Sequence, residues 1–502
     1  MTAGGKESLS WNHAPDHHSV RHAEVGGQYR PRAIPQATPE TMLLLLALAC
    51  TPDRPVTRPP ATPVDVDEAW LRAVGEAEDW RVRMGATAMA LGVIVDGRLA
   101  YSEGLGGIDG VPIEDDTVFR WASVSKPHVA AVVHQLVDDG ALHLDDPLSA
   151  YLPAFRTAAN WHPDDPTLRQ LLEHTAGLPD QLVWSCDETE EPLTALFDGG
   201  WQPPLMAPAG AVHNYSNTHF TALGAVLEVT TGEPFADLME AELFEPLGMR
   251  TATYRPEEAA SLGAPDGLGG VDGAKTYELT EWDCGVSRPP AWLHGSVRDL
   301  AGFAEYALSD VAPKSLHDGM ARAVDTRWWG DGTHRMGPGF YRTDYRGAHR
   351  MWSHDGWVTG FASHIALLPE EGLGIVLVVN RDDANTAGLR NQLLDLFLGI
   401  DTDDTAHTPL FTSLELQQRW VGSYHQPLDD FGPDYAHGDI VVSVIDGVMA
   451  ITFAEQPPLP LVQLDGDAFG YVIDDELHEV RFVESFDDRF LVHRYYVASS
   501  RP

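Results

Sequence analysis

Lysine is scarce in this sequence. Only Lys6, Lys126, Lys275 and Lys314 stand among 33 basic side chains, so nearly all positive charge is arginine. Arginine stays protonated in proteins, whereas lysine can act as a base once burial or a positive neighbour disfavours its charged form. A lysine inside a motif is therefore informative here. Positive charge as a whole is also short: 33 basic against 75 acidic side chains leave a formal charge of −42. Such a field repels phosphate and argues against nucleic acid or an anionic membrane surface as a partner. Cysteine is limited to Cys50, Cys186 and Cys284. The motifs Gly-x-Ser-x-Gly and His-Glu-x-x-His are absent, so neither an α/β-hydrolase elbow nor a zinc-peptidase helix is indicated.

What remains is a soluble globular composition, 43% hydrophobic and 22% charged over 502 residues. That length suits one large domain with a smaller appendage, or three ordinary ones. Residues 1–63 read as a disordered N-terminus. Gly, Pro and His are frequent over the first forty residues, and no hydrophobic period is visible. The apolar run at 42–50 is too short to span a bilayer but has the length of a signal-peptide core. Ala49 precedes Cys50, as in a bacterial lipoprotein signal whose cysteine is lipidated after cleavage, and the Pro-rich stretch to Pro63 then reads as a tether. Ala47 and Leu48 fit that pattern loosely, and no basic residue immediately precedes the run. A short buried helix or an upstream extension from a misplaced start is the alternative. Export would place the protein in the periplasm or on a membrane by its lipid, with the cytoplasm as the other reading. In an oxidising compartment Cys186 and Cys284 could pair, whereas in the cytoplasm they would be two core thiols.

Periodicity predicts a helix over 64–82, then strands at 87–95 and 99–103 joined by Asp96-Gly97-Arg98. A buried helix is expected at 129–137, with helical structure running on through 142–152. Another stretch, 168–174, ends at the Gly/Pro break Gly177-Leu178-Pro179. Residues 184–208 are polar and poorly periodic, as insertions that wall a cleft often are. Helices are expected at 218–230, 235–243 and 297–308. Strands follow at 335–342, 350–353, 361–368 and 374–380, with a closing helix at 387–398. Strands at both ends with helices between them suggest one sheet and a single domain over 64–400. A linker at 401–410 and a small antiparallel β domain at 411–502, barrel-like or sandwich-like, complete the chain. Its hairpin signal is Asp446-Gly447.

Ser123-Val124-Ser125-Lys126 sets a hydroxyl and an amine three residues apart at the start of the 129–137 helix. On a helix these positions share a face, with Cβ atoms roughly 5–6 Å apart, so Lys126 could take a proton from Ser123. Taken alone the motif is weak, since Ser123 could be a helix cap and Lys126 a surface residue. Its company strengthens it. Tyr215-Ser216-Asn217 stands before the 218–230 helix, and His354-Asp355-Gly356 stands at the start of a predicted strand pair.

With these three elements in order, residues 66–400 resemble the serine β-lactamase and penicillin-binding-protein superfamily, in particular its AmpC-like serine hydrolase branch. The resemblance also rests on 119–126, LLEHTAGLP at 171–179, PAGAVHNYSN at 208–217, FEPLGM at 244–249 and GWVTGF at 356–361. It implies an α/β (α+β) fold: an antiparallel sheet flanked by helices, an all-helical region, and here the added C-terminal β domain. It implies a serine hydrolase that forms an acyl-enzyme on an ester or amide of a small molecule or peptide, without metal or other cofactor. Ser123 would attack, Lys126 would accept its proton, and Tyr215 would relay a proton to the leaving group. Asn217 would hold the acyl side chain of the substrate, with His354, Asp355 and Gly356 lining the site. The backbone N–H groups of Ser123 and Trp357 would form the oxyanion hole.

The sequence departs from the family in two places. Where Lys-Thr-Gly often grips a substrate carboxylate, this chain has His354-Asp355-Gly356, and Pro208-Ala209-Gly210 interrupts the usual Pro-Gly pair. A carboxylate at 355 would repel a substrate carboxylate, which favours an ester or amide lacking one. β-Lactamase or D-amino-acid peptidase activity is the alternative within the enzyme class. A non-catalytic penicillin-recognising protein is the alternative outside it.

Overall fold

A computed structural model describes residues 64–158, 161–162, 165–180, 192–198, 202–269, 275–277, 285–325, 335–346 and 348–400. Towards the C-terminus it describes 419–425, 439–445, 448–453, 458–465, 468–473, 476–485, 488–493 and 496–499. The expectations for 42–50, Cys50, Cys186, Cys284, the 401–410 linker and the Asp446-Gly447 turn fall outside these residues.

Helix α1 (Val66–Met84) is marked at both ends by its sequence. Asp65 caps it by accepting from the Glu68 amide at 3.1 Å, and Gly85, at φ 68°, ends it. Strands β1 (Ala88–Val95) and β2 (Arg98–Ile108) follow as an antiparallel hairpin. Asp96 and Gly97 between them have φ of 51° and 72°, the two positive values of a turn whose twist suits paired strands. The short strand β3 (Val118–Arg120) leads into helix α2 (Ser125–Asp138). Helix α3 (Asn217–Thr231), strand β4 (His294–Ser296) and helix α4 (Val297–Leu308) come next. Strands β5 (Tyr341–Tyr345), β6 (His349–Val358), β7 (Phe361–Leu368) and β8 (Leu373–Val379) precede the closing helix α5 (Thr386–Leu398).

Among the described residues six of these strands, in the order β2-β1-β8-β7-β6-β5, and three two-residue strands at the edges form a nine-stranded antiparallel sheet, while β3 and β4 pair with each other. The first strand pairs with the last, Met89 opposite Val379 and Ile94 opposite Gly374, so the helical region is an excursion between two halves of one sheet. Both faces are covered. Ala88, Ala90 and Ile94 of β1 join a core with Val129 of α2, Phe220 of α3 and Phe303 of α4. Met89, Leu91 and Val93 join a second core with Trp80 of α1 and Leu393 of α5. A strand buried on both sides reads as a continuous apolar run rather than an alternating one, which is what 88–95 shows.

Two expectations are corrected. Residues 142–152 are not helical apart from a 3-10 turn at Leu148–Ala150. Gly140, at φ 76°, ends α2, and Pro147 pairs with Thr167, so the buried Leu142, Leu144, Leu148 and Leu152 are held by loop backbone instead. The strand expected at 335–342 is two strands, Arg335–Met336 and Tyr341–Tyr345, parted by Gly337-Pro338-Gly339. His354-Asp355-Gly356 lies inside the ten-residue β6, well past its start.

The C-terminal residues form a second antiparallel sheet of nine strands, from Gly422–His425 to Tyr496–Ser499. Its edge strands, Leu459–Pro460 and Val462–Asp465, are parted by Leu461 alone, so the sheet curls until its two ends are contiguous in the chain. Trp420, Tyr424, Phe469 and Phe482 fill its own core. Phe490 points elsewhere. It is buried among Met206, Ala207 and Val212, 6.0 Å from the ring of Trp161, on the segment that runs into Tyr215. Among the described residues no helix is long and apolar enough to cross a membrane.

Truncating Phe490 removes the wedge between this sheet and the 206–212 segment. We expect Phe490→Ala to cost about 3–5 kcal/mol and to speed amide exchange at 206–212, measured by urea unfolding and hydrogen exchange. Unchanged exchange at 206–212 would show that Phe490 does not brace that segment.

Candidate active site

The turn that presents Ser123 is anchored before it begins. Trp121 donates its backbone N–H to Leu293 O at 2.8 Å and its indole N–H to Gly295 O at 2.8 Å. Its carbonyl accepts from Ser363 Oγ of β7 at 2.6 Å. Ala122 then takes a φ of 49°, a left-handed conformation that costs an L-residue roughly 1–2 kcal/mol. Its carbonyl accepts from Ser125 Oγ at 2.6 Å, which holds the turn in place. A 3-10 turn, Ala122–Val124, passes directly into α2. Ser123 is partly exposed while Trp121, Ala122, Val124 and Lys126 are buried.

Lys126 is fully buried, and its Nζ has three oxygen partners. Ser123 Oγ lies at 3.1 Å, Asn217 Oδ1 at 2.6 Å and Pro290 O at 3.0 Å, one for each ammonium hydrogen. In its neutral form the amine can instead accept the Ser123 proton, so the same geometry serves both protonation states. Nζ also lies 4.8 Å from the centre of the Tyr215 ring. Tyr215 donates its hydroxyl to Ser123 Oγ at 2.9 Å. Ser123 is therefore contacted at one oxygen by an amine and a phenol.

Tyr215 is held by its surroundings. Its ring packs 4.4 Å from His174 and against Met336 and Tyr341. His174 Nδ1 lies 2.9 Å from His219 Nδ1 and 3.2 Å from the Ser216 amide, while His219 Nε2 accepts from the Leu178 amide at 3.2 Å. One tautomer assignment satisfies these contacts: His219 carries its proton on Nδ1 and donates it to His174 Nδ1. Burial pushes His219 down to about 3 and His174 well below the usual histidine range. Both rings are neutral wedges beside the buried lysine rather than competing cations.

Asn217 is the first residue of α3 and has two partners besides its place in the helix. Its Oδ1 faces Lys126, and its Nδ2 donates to Asp180 Oδ2 at 3.1 Å. Its backbone N–H donates to Asp180 Oδ1 at 2.7 Å. Burial raises the Asp180 carboxyl to about 7, opposed by the N–H groups of Asn217 and Thr218 and by the charge of Lys126.

Strand β6 supplies the other wall, and its alternation sorts the triplet. Thr359-Gly360 turn the chain from Val358 into Phe361, which are partners in the β6–β7 ladder. That closing pair is hydrogen-bonded, so Gly356 and His354 also bond across to β7, whereas Trp357 and Asp355 aim their amides at the opposite edge. Pairing with β5 on that edge stops at Ser353 opposite Tyr341, which leaves the Trp357 amide beyond the end of β5. Gly356 must be glycine. A Cβ there would meet Trp121 O and Ser363 Oγ, each at 2.2 Å, so this strand can approach the Ser123 turn only without a side chain. His354 is buried, with Nδ1 2.6 Å from Asp355 O and its ring 6.2 Å from that of Tyr215.

Asp355 is a correction. Its side chain leaves β6 on the face opposite His354, the face where Met351 of the same strand joins the α1 and α5 core. It sits across from His364, and its negative charge acts on the buried Arg390 of α5. It therefore does not line the site beside His354, and the repulsion of a substrate carboxylate expected from it does not arise. Trp357, 58% exposed, is the large apolar side chain at this end of the strand.

Ser123, Lys126, Tyr215 and Asn217 are thus brought together, with His354 and Gly356 behind them. Asp180, His174, His219 and the Pro290 carbonyl were missed by sequence reasoning. His174 lies within LLEHTAGLP and Asp180 directly follows it, so that stretch carried a signal for two of them. Pro290 contributes backbone only and leaves none.

Known proteins share much of this sequence and fold. The family model described as Beta-lactamase matches residues 77–398. Penicillin-binding protein 4 of Amycolatopsis lactamdurans is 29% identical over 311 residues, 58% of this chain and 80% of that protein. Esterase EstB of Burkholderia gladioli is 34% identical over 200 residues, 36% of this chain and 50% of that protein. Among solved structures, the crystal structure of SurE aligns over 86% of this chain and 99% of its own, with a TM-score of 0.65 and 23% identity.

Gly356→Ala should displace β6 from the Ser123 turn while changing none of the Ser123, Lys126, Tyr215 and Asn217 side chains. We expect labelling of Ser123 by a fluorophosphonate to slow about 100-fold, read by the rate of probe uptake, since displacements near 1 Å cost that much.

Proposed function

The chain belongs to the beta-lactamase family and is a serine hydrolase, and from that premise we propose that Ser123 is its acylated nucleophile, with Lys126 and Tyr215 as its acid–base pair. The observation that carries this reading is the pair of contacts on one oxygen: Lys126 Nζ at 3.1 Å and Tyr215 Oη at 2.9 Å from Ser123 Oγ. Ser123 Oγ attacks a carbonyl carbon as Lys126 takes its proton. The carbonyl oxygen, now negative, is met by the backbone N–H groups of Ser123 and Trp357, and the free edge of β6 supports the second donor. Tyr215 passes a proton to the leaving alcohol or amine and takes back the one that Lys126 accepted, and the C–O or C–N bond breaks. Water then attacks the acyl-enzyme by the same route in reverse, which returns Ser123.

The substrate is an ester or amide of a small molecule or peptide. Esterase EstB supports the ester reading, as does His354 standing where a carboxylate-gripping lysine is usual. Asp355 no longer argues against a β-lactam, because its side chain leaves the other face of the strand. β-Lactam hydrolysis is therefore the second reading, in keeping with the family model described as Beta-lactamase. Residues 64–400 are proposed as the catalytic domain and 411–502 as the C-terminal β domain. Residues 42–50 are proposed as an export signal ending at a lipidated Cys50, which predicts that Cys50→Ala moves the protein from the detergent phase to the aqueous phase on Triton X-114 partition.

Ser123→Ala is expected to abolish hydrolysis of p-nitrophenyl acetate, at least 1,000-fold down by colorimetric assay, roughly the loss set by removing a nucleophile. Unchanged turnover in that variant would sink the reading. Nitrocefin hydrolysis by the unmodified protein would promote the β-lactam alternative.

A further inference from the structure

Asp180 is the one buried carboxylate that reaches the Ser123 machinery among the described residues, and no step of the mechanism above uses it. It is 4% exposed and accepts both the backbone N–H and the side-chain N–H of Asn217, at 2.7 and 3.1 Å. Two N–H groups donate to its two oxygens, and with the Thr218 N–H and the charge of Lys126 they favour the ionised form against the cost of burial; as a carboxylate it accepts hydrogen bonds and donates none, so it dictates which end of the Asn217 amide faces it. With Nδ2 committed to Asp180, Oδ1 is the only atom that Asn217 can present to Lys126, and it does so at 2.6 Å. Flipping the amide would set an oxygen against a carboxylate and an N–H₂ against the lysine. Both contacts would be lost together.

We propose that Asp180 is a positioning residue for the hydrolytic reaction, locking the Asn217 amide so that its oxygen holds Lys126 against Ser123. Asp180 touches neither Ser123 nor any reacting atom in this scheme. It acts through Asn217 on the lysine, whose other partners are Ser123 Oγ, Pro290 O and the Tyr215 ring. This rests on the assignment of Ser123 and Lys126 above.

The competing role is structural. Asp180 also takes the first backbone N–H groups of α3, those of Asn217 and Thr218, so it could serve solely as a cap for that helix. Asp180→Asn separates the two. An asparagine still accepts from the Asn217 backbone N–H and caps nearly as well as aspartate. Its own N–H₂, however, would face the N–H₂ of Asn217 and turn the amide around, which presents a donor to Lys126.

The test compares the unmodified full chain, Asp180→Asn and Ser123→Ala in fluorophosphonate labelling, p-nitrophenyl acetate kinetics and thermal unfolding. The proposal expects Asp180→Asn to unfold within a few degrees of the unmodified protein while labelling and kcat both fall about 30- to 100-fold and KM changes less than about threefold. Labelling and kcat within about twofold of the unmodified protein would overturn it and leave Asp180 as a cap. If Asp180→Asn does not fold, Asp180→Ser, which keeps one acceptor oxygen but cannot span both Asn217 contacts, must show the same drop in labelling at an unfolding temperature that leaves it native. Ser123→Ala that still labels or turns over would instead defeat the underlying assignment of the nucleophile, a result distinct from a failure at Asp180.

Discussion

A buried lysine amine has to be satisfied on every side, and much of the site's construction follows from that requirement at Lys126. An ammonium removed from water with a donor unmatched would cost several kcal/mol, so its surroundings must supply acceptors in fixed places. Three parts of the chain do so, one adjacent and two distant: the Ser123 turn, the first residue of α3, and the Pro290 carbonyl. The amine sits next to the Ser123 hydroxyl because these three converge on it. What makes the arrangement chemically useful is that one acceptor, the Ser123 hydroxyl, can itself become the donor when the amine is neutral.

Convergence of that kind needs backbones that approach more closely than side chains allow. Gly356 lets β6 lie against the carbonyl of Trp121, and Ala122 accepts a left-handed φ so that Ser123 can emerge from a turn rather than from the helix proper. Both deviations are held by the sheet: Ser363 of β7 binds the Trp121 carbonyl that a larger residue at 356 would strike. The large sheet is thus a template for the turn as well as a core. Its first and last strands pair, and the helical excursion that carries Tyr215 and Asn217 is closed back upon it.

Much of this was legible in the sequence, for reasons that differ from element to element. Helices α1 and α4 and the β1–β2 turn could be read because a cap, an apolar period or an Asp-Gly pair acts locally. Ser123, Lys126 and Tyr215 could be read as a group because lysine is rare here and the three motifs stand in a fixed order. Residues 142–152 misled because leucines spaced as on a helix were buried by loop backbone, and periodicity reports burial before it reports conformation. Asp180 was invisible because an acidic residue after a Gly-Leu-Pro turn is ordinarily solvated. Its burial depends on α3 arriving from more than thirty residues away.

Asp355 shows how far a motif can be taken as a unit. The triplet His354-Asp355-Gly356 looks like one feature on paper, and its middle charge invites an argument about substrate charge. A strand divides it, because its side chains alternate with a period of two. His354 and the vacant side of Gly356 face the nucleophile, while the charge of Asp355 acts on Arg390 beneath the closing helix. The walls left to meet a substrate are His354 and the segment before Tyr215 that Phe490 of the C-terminal sheet packs against. That last contact gives the second sheet a physical route to the site, because whatever moves the 206–212 segment bears on the tyrosine that follows it.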